Sequence, residues 1–235
     1  VLSGKTVVVT GASRGIGRAV ASAFAGAGAW VAMVARGGEA LRAAAEEVGG
    51  HAIPADVASA DAVHRLTTYL VDLLGDVPDI LVNSAGAFSI APFSETEPAE
   101  FARLQEVNLR APFLMIRAFL PYMLERRSGH LISIGSVAGR RAFAGNAAYS
   151  ASKFGLRGLH EVLDEEVRGT GVRATLLEPA ATDTPLWDPI DPDARADLPS
   201  RAEMLRAEDV ARGVLFAASQ PLGVEVSSMA LRANF

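Results

Sequence analysis

The sequence predicts an α/β fold, in which a doubly wound, mostly parallel sheet of about seven strands carries helices on both faces. Three observations predict it. Short β-rich runs alternate with longer segments of helical period along the whole chain, which implies parallel βαβ units wound right-handed into an open sheet. The first β-rich run passes straight into a glycine-rich turn that opens a helical segment. The 235 residues, half of them hydrophobic, suffice for one full-sized core, and no repeat or linker divides them, so a single domain over 1–235 is expected.

The elements follow in order. Val7-Val8-Val9-Thr10 reads as a buried strand, and Arg14 to Ala27 as a helix opened by glycines and closed near Gly28. Trp30–Ala35 is the second strand, Glu39–Val48 a helix ending at Gly49-Gly50, and Ala52-Ile53 a short third strand. Ser59 is placed to cap a helix that runs through about Leu74. Ile80-Leu81-Val82 forms the fourth strand. One long helix is expected from about Pro98 to Arg127, with an interruption near Pro112. His130–Ile134, a helix over Ala147–Arg168, and Val172–Leu177 come next. A helix near Ala207–Ser219 and a strand near Val224–Met229 end the chain. The stretch from Pro179 to Ser200 has no period, is rich in Pro, Asp and Ala, and predicts a substrate loop near 179–205.

Composition excludes several function classes. A net charge of -5 with no basic run gives no general attraction to nucleic acid or anionic lipid. The chain has no cysteine, so disulfides, thiol nucleophiles and cysteine-held metals are excluded. The four histidines show no metal-ligand spacing, so no metal is expected. Apolar stretches such as Phe113–Leu120 are broken by Arg117, and the apolar run near the N-terminus is too short for a signal-peptide core. No membrane span and a cytoplasmic location are the expectations.

The turn after the first strand reads Thr10-Gly11-Ala12-Ser13-Arg14-Gly15-Ile16-Gly17. Its glycines allow a sharp bend and close approach to a pyrophosphate, and the helix that follows offers unpaired N–H groups and a positive dipole end. An ordinary glycine-rich turn is the plainer alternative, but its place between first strand and first helix favours a Rossmann-type dinucleotide site. Tyr149 and Lys153 lie four apart on a predicted helix and share one face. A phenol is a poor base near neutrality, and an adjacent ammonium favours its ionised form. The chain has two lysines and twenty arginines, so a lysine kept at 153 has weight. A surface Tyr–Lys contact is the alternative. Ser136 follows the fifth strand, where open α/β sheets bind ligands, although alone it reads as a turn residue.

The Gly-x-x-x-Gly-x-Gly spacing of this turn, with Asp56-Val57, Asn83-Ser84-Ala85-Gly86, Asn108, Ser136, Tyr149-x-x-x-Lys153 and the Pro179 segment, resembles the classical short-chain dehydrogenase/reductase family in order and spacing over most of the chain. The resemblance implies an enzyme that moves a hydride between a nicotinamide cofactor and a carbonyl or secondary alcohol. Gly11, Ser13, Arg14, Gly15, Ile16 and Gly17 would cradle the cofactor phosphates. Asp56 and Val57 would hold the adenine. Asn83, Ala85 and Gly86 would line the ribose and support the sheet. Tyr149 would be the general acid/base, Ser136 would orient the substrate oxygen, and Lys153 would hold the nicotinamide ribose. Asn108, alone a polar helix residue, would complete the set through a water relay to Lys153. Pro179, Ala180, Thr182 and Thr184 would meet the nicotinamide. The family's Pro-Gly is Pro179-Ala180 here, which would be strained if that backbone has positive φ.

The place of the ribose-binding acid of NAD enzymes holds Ala35 and then Arg36, with Arg14 in the turn. Two guanidiniums there suit the 2′-phosphate of NADP(H) better than NAD(H), and solvated surface arginines are the alternative reading. Ala87-Phe88, Val137, Phe143, Asn146, Leu186 and Trp187 should edge the pocket, which favours a hydrophobic small-molecule carbonyl or alcohol. Arg140 and Arg141 could attract an anion, and Asp188, Asp191, Asp193 and Asp197 would oppose one. A 3-oxoacyl thioester reductase served by an acyl carrier protein, or a catalytically silent NADP-sensing module, are the alternatives. Apolar residues spread widely around the long helix and the Tyr149 helix predict a homodimer or homotetramer, and in the resembled family these two helices pair across a two-fold axis.

Overall fold

The computed structural model describes residues 2–234. Seven strands form one sheet in the order β3-β2-β1-β4-β5-β6-β9: β1 (Thr6–Thr10), β2 (Trp30–Ala35), β3 (His51–Pro54), β4 (Ile80–Asn83), β5 (Gly129–Ile134), β6 (Val172–Pro179) and β9 (Ser228–Leu231). Every pairing is parallel, and the central register sets Val8 against Ala32 on one side and Leu81 on the other. Val7, Val8 and Val9 are wholly buried, as a strand covered on both faces requires.

Helices α1 (Gly15–Gly26), α2 (Gly38–Val48) and α7 (Ala207–Ala218) cover one face, where Phe24, Met33, Leu41, Val210 and Leu177 share a core. Helices α3 (Ala60–Leu74), α5 (Ala111–Glu125) and α6 (Ala147–Val167) cover the other, around Leu70, Leu81, Phe119, Leu131 and Leu163. Ser59 caps α3 by accepting from the Ala62 N–H at 3.3 Å. The strand order reverses beside β1, which leaves a crevice at the carboxyl ends of β1 and β4.

Three expectations are corrected. The long helix is not simply interrupted near Pro112. Helix α4 (Pro98–Gln105) runs into a π-helical turn over Glu106–Arg110 before α5. Pro112 has no N–H to donate to the Asn108 carbonyl four residues back, so the ladder shifts register there. The last strand begins four residues later than expected, because the preceding segment is held otherwise: the Glu225 carboxylate accepts from the Ala174 N–H at 2.8 Å, and Arg173 donates to the carbonyls of Gln220 and Val224. The segment after β6 is not structureless. Strand β7 (Thr182–Asp183) pairs with β8 (Leu205–Arg206) and closes the base of a lobe over residues 184–204. Arg201 ties that lobe together, donating to Asp183 at 2.6 Å and Asp188 at 2.8 Å.

Candidate active site

The turn after β1 folds tightly onto the end of β4. Gly11 has φ +67°, and a Cβ there would lie 2.7 Å from the Ala85 Cα; a Cβ at Gly17 would collide with the Gly11 carbonyl. Thr10 locks the arrangement, its hydroxyl oxygen accepting from the N–H groups of Ser84 and Ala85 at 3.0 Å each. In sequence Thr10 is the end of the first strand and the start of the glycine-rich turn, and nothing in that pattern marks its hydroxyl. The first bond within α1 runs from Arg18 N–H to the Arg14 carbonyl, so the amides of Gly15, Ile16 and Gly17 have no intrahelical acceptor. No carboxylate occupies the first turn of α1. Unpaired amides, a positive dipole end and a floor that admits no side chain suit a phosphate group.

Ser13 and Arg14 lie on the outer side of this turn. Arg14 and Arg36 are exposed, and among the described residues neither forms an ion pair. Val57 is buried, while Asp56 is exposed and accepts from the Ala58 N–H at 3.1 Å, so the bland role of a turn carboxylate is also filled. Asn83 is buried with no hydrogen-bond partner for either end of its amide among the described residues.

The second cluster grows from β5, α6 and β6. Ser136 follows β5, nearly buried, and its oxygen accepts from the Ala138 N–H at 3.1 Å, which starts a short 3-10 turn over Val137–Gly139. Helix α6 sets Tyr149 and Lys153 on one face, with the Lys153 Nζ 5.7 Å from the centre of the tyrosine ring. Lys153 Nζ donates to the Ile134 carbonyl at 2.9 Å, and burial lowers its pKa to about 8. The expectation of a lowered phenol is not met by the protein groups. Burial raises Tyr149 above its ordinary value, and the nearby Ser136 hydroxyl offsets this only in part.

Asn108, in the π-helical turn, is buried. Its Oδ1 accepts from the Ala87 N–H at 2.8 Å, and its Nδ2 donates to the Ala87 carbonyl at 2.9 Å and to Ser152 Oγ at 3.0 Å. Both amide hydrogens are thus committed, so its side chain braces the strand end after β4 against the residue beside Lys153. A water on the way to Lys153 would therefore have to donate to an Asn108 oxygen, and Pro112 leaves the backbone carbonyl of Asn108 without its helical donor.

A cavity of about 990 Å³ joins the two clusters. Ile16, Gly86, Ser136, Tyr149, Lys153, Pro179, Ala180, Thr182 and Thr184 line it, as do all the pocket residues named from sequence: Ala87, Phe88, Val137, Phe143, Asn146, Leu186 and Trp187. Phe88 stands edge-on to both Tyr149 and Trp187, with ring centres 4.8 and 4.9 Å apart. Ile90, Phe93, Leu198 and Pro199 complete the wall, and no periodicity could have singled them out. Ala180 is not strained: among non-glycine residues described, only Arg127 and Asp191 have positive φ. Three of the four loop aspartates are engaged within the lobe, and Asp191 is exposed. Asp188 pairs with Arg201, Asp197 with Arg195, and Asp193 accepts from the Arg201 N–H. Arg140 is tied to Glu178, and Arg141 stacks over Phe143.

No helix among the described residues is long and apolar enough to cross a membrane. The family model for short chain dehydrogenases matches residues 5–195. A short chain dehydrogenase of Pseudocercospora fijiensis is 42% identical over 198 residues, 81% of this chain; the aligned region spans only 63% of that relative's length. An oxidoreductase of Staphylococcus epidermidis is 32% identical over 97% of this chain and 96% of its own. A metagenomic short-chain oxidoreductase solved in complex with NADP superposes with a TM-score of 0.84 at 35% identity, over 100% of this chain and 99% of that one. The chain belongs to the classical short-chain dehydrogenase/reductase family of nicotinamide-dependent oxidoreductases.

Proposed function

We propose that the protein is an NADP(H)-dependent reductase of apolar carbonyl compounds, with the corresponding secondary alcohols as substrates of the reverse reaction. The observation that carries this reading is an apolar cavity in which Ser136, Tyr149 and Lys153 converge beside the open start of α1. The residues present fit the dinucleotide. The unpaired amides of Gly15, Ile16 and Gly17 suit its pyrophosphate, and unpaired Arg14 and Arg36 suit a 2′-phosphate. The structure of a relative in complex with NADP supports the same cofactor. When bound, the nicotinamide supplies or accepts the hydride at the substrate carbon.

The chain's own groups do the rest. Ser136 Oγ orients the substrate oxygen and stabilises the charge that develops on it. The Tyr149 phenol, kept protonated by burial, donates its proton to that oxygen. Lys153 has two N–H bonds left after Ile134 for the nicotinamide ribose, and its positive charge favours the tyrosinate formed by proton transfer. Phe88, Phe143, Leu186 and Trp187 exclude water and hold an apolar substrate group. A carrier-protein-linked thioester is less well supported, since Arg140 and Arg195 near the cavity are already engaged by Glu178 and Asp197. A silent module would have no use for three converging polar groups.

The test is NADPH oxidation against a panel of ketones, aldehydes, a reactive dicarbonyl such as 2,3-butanedione, and 3-oxoacyl thioesters, with NADH alongside. Turnover of hydrophobic ketones with NADPH supports the reading. Exclusive turnover of thioesters would transfer it to the alternative, and inactivity across the panel would sink it.

A further inference from the structure

Among the described residues, Glu178 is the one carboxylate that reaches all three segments of the catalytic cluster, and it has no part in the steps above. It is the penultimate residue of β6, directly before Pro179, and its side chain is 1% exposed. Its carboxylate accepts from Arg140 Nε at 2.6 Å and from Arg157 Nη1 at 2.8 and 3.1 Å. Arg140 ends the 3-10 turn that starts at Ser136. Arg157 lies one helical turn beyond Lys153 on α6. One buried carboxylate thus joins the strand that leads to the cofactor loop, the loop of Ser136, and the helix of Tyr149 and Lys153.

Packing leaves these segments little freedom to adjust without it. A Cβ at Gly139 would lie 2.7 Å from the Lys153 carbonyl, so the Ser136 loop rests directly on the α6 backbone. A Cβ at Gly135 would lie 3.2 Å from the Glu178 Cγ, so the same loop rests on the stem of the carboxylate. A charge this deeply buried is tolerated only while paired, which makes an arrangement with either arm released costly. Charge-assisted hydrogen bonds from two guanidiniums to one carboxylate also hold it more firmly than neutral bonds would.

We propose that Glu178 is a positioning residue: by holding Arg140 and Arg157 together, it sets the separation of the Ser136 and Tyr149 hydroxyls and so controls turnover. This rests on the reading of Ser136 and Tyr149 given above. Small displacements of reacting groups lower rates steeply, to about a hundredfold for 1 Å.

The experiment compares wild type, Glu178→Gln, Arg140→Met, their double variant and Tyr149→Phe, using the best carbonyl from the NADPH panel. Glu178→Gln should lower kcat by about ten- to a hundredfold, with the dissociation constant for NADPH within twofold of wild type. The alkaline limb of the reductive pH profile should move upward, because the Ser136 hydroxyl that opposes the effect of burial on the phenol is drawn away from it. Arg140→Met leaves Glu178 paired with Arg157, so it tests the same linkage if Glu178→Gln does not fold. It should also lower kcat, and the double variant should lose less than the product of the single losses. Glu178→Gln or, should that not fold, Arg140→Met with kcat within twofold of wild type and an unmoved alkaline limb would overturn the proposal, even if the melting temperature falls. Tyr149→Phe separates the two levels of argument. If it stays active the catalytic reading fails, whereas an inactive Tyr149→Phe beside a normal Glu178→Gln removes only the positioning role.

Discussion

Tyr149 sits in surroundings that keep its phenol protonated, as the proposed mechanism needs. Burial raises the phenol, and the nearby Ser136 hydroxyl offsets this only in part, so at neutral pH the chain presents the protonated form that the proposed reduction needs. Tyr149→Phe should therefore keep NADPH affinity and lose at least about a hundredfold in kcat, whereas retention of more than about a tenth would require another acid. Lys153 illustrates the cost of such a site. Its pKa, lowered to about 8 by burial, lies below the ordinary 10.5. At neutral pH it is charged in both the folded and the unfolded chain, and the fold bears the burden of a buried ammonium. Stability should rise as pH passes from about 8 towards 10.5, where the folded state sheds the proton first. Lys153→Met should remove that burden, raising stability by roughly 1–3 kcal/mol less the lost bond to Ile134. At about 2–4 °C per kcal/mol, calorimetry should show a higher melting temperature together with lost turnover. A lower melting temperature would mean that the bond to Ile134 outweighs the burial. The Tyr149–Lys153 pair was legible because a period of four on a helix fixes a shared face. The raised phenol was not legible, since it depends on what surrounds the ring in three dimensions.

Among the elements, the end of β2 would carry the proposed preference for NADPH. Ala35 closes that strand and the exposed Arg36 follows it, on the β1 side of the crevice. Ala35→Asp with Arg36→Ala should shift preference from NADPH towards NADH, because the new carboxylate accepts from a 2′-hydroxyl and repels a 2′-phosphate. The readout is the ratio of kcat/KM for the two cofactors, and an unchanged ratio would place these residues away from the ribose. Strands and helices that follow a simple hydrophobic period were readable to within a residue or two, as α3 with its Ser59 cap shows. The π-helical turn was readable only as a disturbance near Pro112, since the proline signals a lost donor but not the register the backbone adopts instead. The lobe over 184–204 was hidden more deeply. Its order comes from β7 pairing with β8 and from Arg201 gathering aspartates up to 18 residues away, and these contacts have no local signature.

For the whole molecule, the apolar surface of α4, α5 and α6 exceeds what one subunit covers. Met115, Phe119 and Leu163 on these helices are buried inside the subunit. Phe101, Phe113, Phe154 and Val162 on the same helices are about half exposed. A second copy packed on this face would bury them, and an isologous contact of that kind closes on itself. Light scattering at micromolar concentration should give at least twice the chain mass of 24.5 kDa, and Phe154→Glu or Phe113→Glu should reduce it. A monomer mass for the wild type would exclude the assembly, and an unchanged mass for both variants would move the contact elsewhere. Sequence alone showed that the two helices were too apolar all round. It could not divide core from surface, which requires knowing which face meets the sheet.

The edge-on contact of Trp187 with Phe88 has an optical consequence. The chain holds two tryptophans, and the other, Trp30, is stacked on His51 at the far side of the sheet, with ring centres 4.5 Å apart. Indole emission responds to solvent polarity and to nearby absorbers, and a reduced nicotinamide absorbs where indole emits. Light from Trp187 should thus dim as the dihydropyridine ring enters and recover as the ring is oxidised, while Trp30 supplies a steady background. Each turnover would register as a flicker of the lobe that covers the substrate, with no label attached to the protein.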